Sequence, residues 1–157
     1  MVVRRWSLAQ PLPILVIHHR RQAAPTGKDK DGGGRMSSSS FQDLRVWQEA
    51  MKLAREIYRS TASFPKHELY GLSQQVRRAA VSVPSNIAEG KGHRSNKEFS
   101  HFLFHARGSL WELQTQLLIA DELQYLSKTE SQRLLSMAEG VSRALSGLIH
   151  ALEEKAA

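Results

Sequence analysis

From Phe41 onward the apolar residues fall at helical spacing in four successive blocks separated by short polar links. In the first block Leu44, Trp47, Met51, Ala54 and Tyr58 recur at steps of three and four, and a second stripe of Val46, Ala50, Leu53 and Ile57 lies beside them. A face that wide predicts burial on more than one side, as in a bundle helix or at a subunit contact. The helix is expected to run from Phe41 to a stop between Thr61 and Pro65, because Phe64 precedes a proline and is biased away from helical angles. Pro65 then opens a turn, with Glu68 placed to favour a positive helix end.

The second block places Val76, Ala80, Val83 and Ile87 at steps of four, three and four, and predicts a helix from Ser73 through Glu89. Pro84 lies inside it and is followed by the polar pair Ser85-Asn86. An interior proline removes one backbone hydrogen bond and crowds the preceding turn, at a cost of roughly 3 kcal/mol, so a bend held by outside packing is expected there. Gly90 and Gly92 read as the stop.

The third helix has the clearest start, Ser95-Asn96-Lys97-Glu98, which fits a capping box. Phe99, Leu103, Ala106, Leu110, Leu113, Leu117 and Ala120 follow at fours and threes, a seam of almost four heptads. Gly108 and Ser109 sit within it, a small pair that admits another backbone or a slight bend. After the link Gln124–Leu126, a second capping box, Ser127-Lys128-Thr129-Glu130, opens a fourth helix along Leu134, Ala138, Val141, Leu145, Leu148 and Leu152. Four helices on short links are antiparallel neighbours. The expected fold is all-α, an antiparallel up-and-down four-helix bundle over residues 41–155, and the absence of period-two alternation leaves no strand to expect.

Composition adjusts this picture at the front of the chain. Residues 1–40 mix Pro, Gly, Ser and charge, with Gly32-Gly33-Gly34 and Ser37 to Ser40, and are expected to be a disordered extension because they cannot bury enough apolar surface to offset chain entropy. Met36 at its edge offers an alternative start of the protein. The net charge of +7 also belongs mostly here: residues 1–40 carry seven Lys/Arg against two Asp/Glu, residues 41–157 fifteen against thirteen. The basic total therefore says little about what the folded unit binds. With no cysteine, disulfides, thiolate metal sites and a cysteine nucleophile are excluded. No apolar run approaches the ~18–20 residues of a membrane span. The stretch Leu12–Ile17 is short, interrupted by Pro13 and lacks a small-residue cleavage site, so a cytoplasmic protein is expected rather than a secreted one.

The strings FQDLRVWQEAMKL, FPKHELYGLSQQVRRAAVSVPSNIAEG, EFSHFLFHARGSLWELQTQL and LLSMAEGVSRALSGLIHAL, in that order over Phe41 to Leu152, resemble the four-helix-bundle family encoded by intervening sequences in bacterial 23S ribosomal RNA genes. The resemblance implies a closed antiparallel bundle that assembles as a ring-like homopentamer. A similar protein, the accessory variability determinant of diversity-generating retroelements, is such a pentamer and binds nucleic acid and a reverse transcriptase. Pro84, Asn86, Glu89 and Gly90 fall in or beside the family's signature string, Arg77-Arg78 match its basic pair, and Ser109 and Glu112 match a G-S-x-x-E pattern. Residues 1–40 have no counterpart in that pattern.

Among the residues that carry chemistry, Arg77, Arg78, Lys91, Arg94, Lys97 and Arg107 are the candidate phosphate contacts, a strip near the second and third helices that ring assembly would multiply. The competing reading is a set of solvated charges paired in part with Glu89, Glu98 and Glu112. Nothing resembles a base-reading module, so binding to RNA or DNA should be salt-sensitive and sequence-independent. Glu98, His101 and His105 form one E-x-x-H-like group where carboxylate-bundle chemistry needs two, so boundary histidines are expected and no metal or other cofactor. Asn86 and Glu89 are expected to recapture backbone groups freed by Pro84 or to tie to Arg94 or the third helix. Ser82, Ser85 and Ser109 have no histidine at a spacing that proposes a triad, and no glycine-rich phosphate loop occurs. Trp47 and Trp111 are expected as core or interface anchors. The leading expectation is a non-enzymatic oligomeric scaffold or adaptor that associates with nucleic acid, and the alternative is a protein-interaction partner, for example of a reverse transcriptase.

Overall fold

The structure, a computed structural model, describes residues 40–154. The expected extension and the alternative start at Met36 lie outside the described residues, except for Ser40. Among the described residues the chain forms four α-helices and three single 3-10 turns, with no strand: α1 is Arg45–Ser60, α2 Leu72–Lys91, α3 Asn96–Glu122 and α4 Lys128–Glu154. Each helix packs on its neighbour in sequence, and α1 also packs on α4, which closes the bundle. No described helix is long and apolar enough to cross a membrane.

α1 begins four residues later than its pattern predicts. Ser40 caps a 3-10 turn, Phe41–Asp43, accepting from the Gln42 amide while Asp43 accepts from the Ser40 amide, and Leu44 is extended (ψ 118°) before the α-helix starts. Of its two apolar stripes only one is core. Val46, Ala50, Leu53 and Ile57 are buried, whereas Trp47 and Met51 are half-buried and Tyr58 is exposed; Ala54 alone of the other stripe is buried.

α3 buries all seven residues of its seam, from Phe99 to Ala120. α4 follows its predicted seam through Leu134, Ala138, Val141 and Leu145, but then buries Ile149 and leaves Leu148 and Leu152 half-buried. A helix of 3.6 residues per turn drifts ~20° per heptad from a strict 3.5 repeat, which turns Leu148 away from the core in the direction that brings Ile149 toward it. Both serine caps form in one direction. The Ser95 and Ser127 hydroxyls accept from the amides of Glu98 and Glu130. The Glu98 carboxylate, however, takes the Ser95 hydroxyl (2.7 Å), and Glu130 turns to Arg133 and to Ser60 of α1. Glu68 does cap α2, as its carboxylate accepts from the Leu72 amide at 2.8 Å and also from the Tyr125 hydroxyl.

α2 continues through Pro84 and through Gly90, with Val76, Ala80, Val83 and Ile87 buried as its spacing predicts. Gly90 is not a stop. A Cβ there would lie 2.6 Å from Phe102 Cβ and 2.9 Å from Phe99 Cδ2, so the missing side chain is what lets α2 and α3 approach. Gly92, the residue after the helix, ends it with a right-handed conformation (φ −73°) and amide bonds back to Ala88 and Glu89. Gly108 faces open space, so the close approach expected there occurs instead at Gly90.

The up-and-down order fixes what shares an end. The start of α1, the α2–α3 turn and the end of α4 lie together: Leu44 and Val46 line a groove with Ala144 and Leu148, and His93 and Lys97 line another with Leu152 and Glu153. The opposite end holds the α1–α2 and α3–α4 connections, joined where Tyr125 meets Phe64 and Glu68.

Candidate nucleic-acid interface

The residues around Pro84 form a polar bridge between α2 and α3. Asn86 Nδ2 donates to the Ser82 carbonyl (2.8 Å) and to Ser82 Oγ (3.1 Å); Ser82 Oγ and Ser109 Oγ lie 2.9 Å apart; and Ser109 Oγ donates to the His105 carbonyl (3.1 Å). With Ser109 donating to His105, Ser82 donates to Ser109 and Asn86 to Ser82, and every hydroxyl in the series is both donor and acceptor. Ser85 Oγ donates to the Val81 carbonyl. The polar pair therefore bonds the carbonyls of Val81 and Ser82, next to that of Ala80, which is the one deprived of its usual amide partner by Pro84. Glu89 takes no part: it is exposed, with no hydrogen bond or ion pair from its side chain to another described residue. Glu112 bonds Gln116 within its own helix. The two signature residues Asn86 and Ser109, far apart in sequence, thus meet through Ser82.

The six candidate cations divide into three groups instead of one strip. At the connection end, Arg77 Nε donates to Thr61 Oγ1 (2.8 Å), Thr61 Oγ1 donates to the Ile57 carbonyl, and the guanidinium lies 5.1 Å from the Tyr58 ring centre. Arg77 is thus held against the negative end of α1, while Arg78, about 100° around the helix, is exposed. Lys91, Arg94 and Lys97 stand at the opposite end of α2, roughly 20 Å from Arg78 at ~1.5 Å per residue. Lys91 reaches over the Phe99 ring at 6.0 Å, and Arg94 and Lys97 are exposed. Arg107 lies on the outer face of α3, 4.8 Å from the Phe104 ring centre and 5.1 Å from that of Trp111.

None of the six forms a salt bridge among the described residues, so the expected pairing with Glu89, Glu98 or Glu112 is absent there. Glu98 lies 3.8 Å from His93, and its carboxyl is held below the usual carboxylate range first by the Ser95 hydroxyl and also by His93. His101 and His105 are exposed, with Nε2 atoms 3.1 Å apart, and no cluster of three metal-capable side chains occurs among the described residues.

Two features are missing from the expectations drawn from the sequence. Trp111 is 55% exposed rather than core, and Phe104 and Leu118, both exposed, repeat with it at intervals of seven along the outside of α3. That spacing is visible in the sequence beside the stronger inner seam. A second apolar surface, a groove of about 560 Å³, runs between α1 and α2 and is lined by Trp47, Met51, Tyr58, Val81, Pro84 and Ala88 among others. It is the outer stripe of α1 completed by α2.

The family of 23S rRNA-intervening sequence proteins matches residues 42–147. Among solved structures, a protein of unknown function from the S23 ribosomal protein family of Bacteroides thetaiotaomicron is similar, with a TM-score of 0.60 at 19% identity over 66% of this chain and 97% of that one. At that identity the likeness concerns the fold. No curated protein matches the chain.

Proposed function

The chain belongs to the 23S rRNA-intervening sequence protein family, and we propose that it acts as a non-enzymatic, homo-oligomeric scaffold that holds RNA or DNA by its phosphates without reading sequence. The observation that carries the reading is that Arg78, Arg94 and Lys97 stand exposed with no carboxylate partner among the described residues. Unpaired cations of this kind lower their energy against a polyanion, with release of its condensed counterions. The hydroxyls of Ser82 and Ser109 are committed to the α2–α3 bridge, which supports a structural rather than a nucleophilic role.

Two outer apolar surfaces support the assembly. The α1–α2 groove and the Phe104–Trp111–Leu118 stripe are unlike patches on one molecule, and unlike patches that bind each other build head-to-tail rings when the rotation closes. A pentameric ring would repeat each cationic group five times and raise avidity without a new contact. Light scattering on the full chain tests this: a monomer at micromolar concentration overturns it, and Trp111→Ala should shift the species to lower mass.

Mobility-shift titration with RNA and DNA at low and moderate salt tests the binding. Retention at low salt that falls steeply with added salt is the expected result, and no retention at low salt overturns it. The exposed α1–α2 groove favours a second reading, a docking partner for another protein such as a reverse transcriptase, in which the charged surface never meets nucleic acid. That reading predicts stable capture of the protein partner and no shift of the oligonucleotide.

A further inference from the structure

At the connection end of the bundle, Tyr58, Leu69, Tyr70, Gln74, Arg77 and Arg78 line a cup of about 390 Å³. Tyr70 is 86% exposed, an aromatic ring left almost wholly in water on the turn before α2. Gln74, Arg77 and Arg78 follow it at four, seven and eight residues, so all three rise from one side of the helix that starts beneath the ring. Arg77 is already fixed by its Nε bond to Thr61 and by the Tyr58 face, so directing its remaining N–H groups at a ligand requires little further ordering. The adjacent carboxylate, Glu68, accepts from the Leu72 amide and the Tyr125 hydroxyl, lies 3.9 Å from His67, and forms no ion pair with Arg77 or Arg78.

We propose that this cup binds single-stranded nucleic acid, with an unstacked base against the Tyr70 ring, Gln74 at the base edge and Arg77 and Arg78 on the flanking phosphates. The proposal rests on the nucleic-acid reading above and narrows it to one strand class. Every base has a π-face, so a tyrosine plate beside cations accepts any sequence, in keeping with the lack of a base-reading element. A duplex keeps its bases stacked on one another and offers this ring only its sugar–phosphate edge. RNA and DNA single strands supply the same base and phosphate chemistry and should bind alike.

The test is fluorescence anisotropy of the full chain at low salt with labelled oligouridine, oligothymidine and an RNA duplex of equal length, for the native protein and for Tyr70→Ala and Tyr70→Phe. Both single strands should bind more tightly than the duplex. Tyr70→Ala should weaken single-strand binding by about 5- to 150-fold and leave the duplex unchanged, while Tyr70→Phe, which keeps the ring, retains affinity. Because the ring is exposed, circular dichroism of both variants should match the native protein. Equal binding of strand and duplex with Tyr70→Ala silent overturns the cup and leaves the broader nucleic-acid reading standing; no binding of any probe by the native protein overturns both.

Discussion

Replacing Gly90 by alanine tests the geometry on which the α2–α3 contact depends. In a helix interior Gly→Ala is worth up to ~1 kcal/mol in favour of alanine, from backbone entropy alone. At Gly90 the added methyl would sit 2.6 Å from Phe102 Cβ, 2.9 Å from Phe99 Cδ2 and 3.3 Å from the Phe99 carbonyl oxygen. The Phe99 ring can rotate away. Phe102 Cβ and the Phe99 carbonyl are tied to the α3 backbone, so restoring carbon contacts of ~3.5–4.0 Å requires α3 to shift by about 1 Å. Overpacking of that kind costs about 1–3 kcal/mol, and its upper range applies where backbone must move, which leaves a net loss of about 1–2 kcal/mol. Gly108 and Gly147 supply the controls. Both lie within helices and face open space, so alanine at either should add about 0.5–1 kcal/mol. Urea unfolding of the three variants at one protein concentration, to hold any assembly term constant, reads the signs directly. A Gly90→Ala protein as stabilised as Gly147→Ala would refute the close approach.

The link between α1 and α4 is pH-sensitive: hydrogen bonds from Arg133, then from Ser60, hold the Glu130 carboxyl down from 4.5 to about 2. A depressed carboxylate stabilises the fold fully above its unfolded value and loses that contribution as pH falls from about 4.5 toward 2. Arg133 is 43% exposed, and discounting for solvent leaves about 1 kcal/mol. Thermal melts of native protein and Glu130→Gln should differ at pH 7 and converge near pH 2. Ser82→Ala should cost about 1–2 kcal/mol by leaving Asn86 and Ser109 without their shared partner, whereas Ser131→Ala, which removes a buried hydroxyl with no bonding partner, should be neutral or slightly stabilising in the same denaturant assay. Gln124 ends α3 in the left-handed region (φ 59°), so Gln124→Gly should raise stability by up to ~1 kcal/mol in calorimetry.

The inner seam of α3 is fully legible in the sequence, because a continuous 3-4 repeat bounded by polar residues has one face to bury. α1 is not resolved to the same degree. Its two stripes are equally apolar and helical, and only the positions of α2 and α4 decide that Val46, Ala50, Leu53 and Ile57 go inward while Trp47, Met51 and Tyr58 are left outside. Gly90 is ambiguous for a related reason, since glycine both ends helices and admits close neighbours, and the neighbours here, Phe99 and Phe102, belong to the next helix. The six cations are identifiable as residues, yet their grouping is not: Arg77 is tied down by a threonine sixteen residues earlier and Arg107 by two rings of its own helix. Tyr70 sits in a turn, where no periodicity marks which side chains stay in water.

The sharing of ends in the bundle has a practical consequence for attaching anything to this protein. Residue 45 at the start of α1 and residue 154 at the end of α4 are at the same end, beside Lys91, Arg94 and Lys97, while Tyr58, Tyr70 and Arg78 are at the other. A fluorophore or surface tether joined just outside either helix would crowd the lysine-rich turn and leave the tyrosine cup facing solution. Two immobilisations, one through residue 154 at the end of α4 and one through the α3–α4 link, would therefore mask the two cationic groups in turn and report which of them an oligonucleotide reaches.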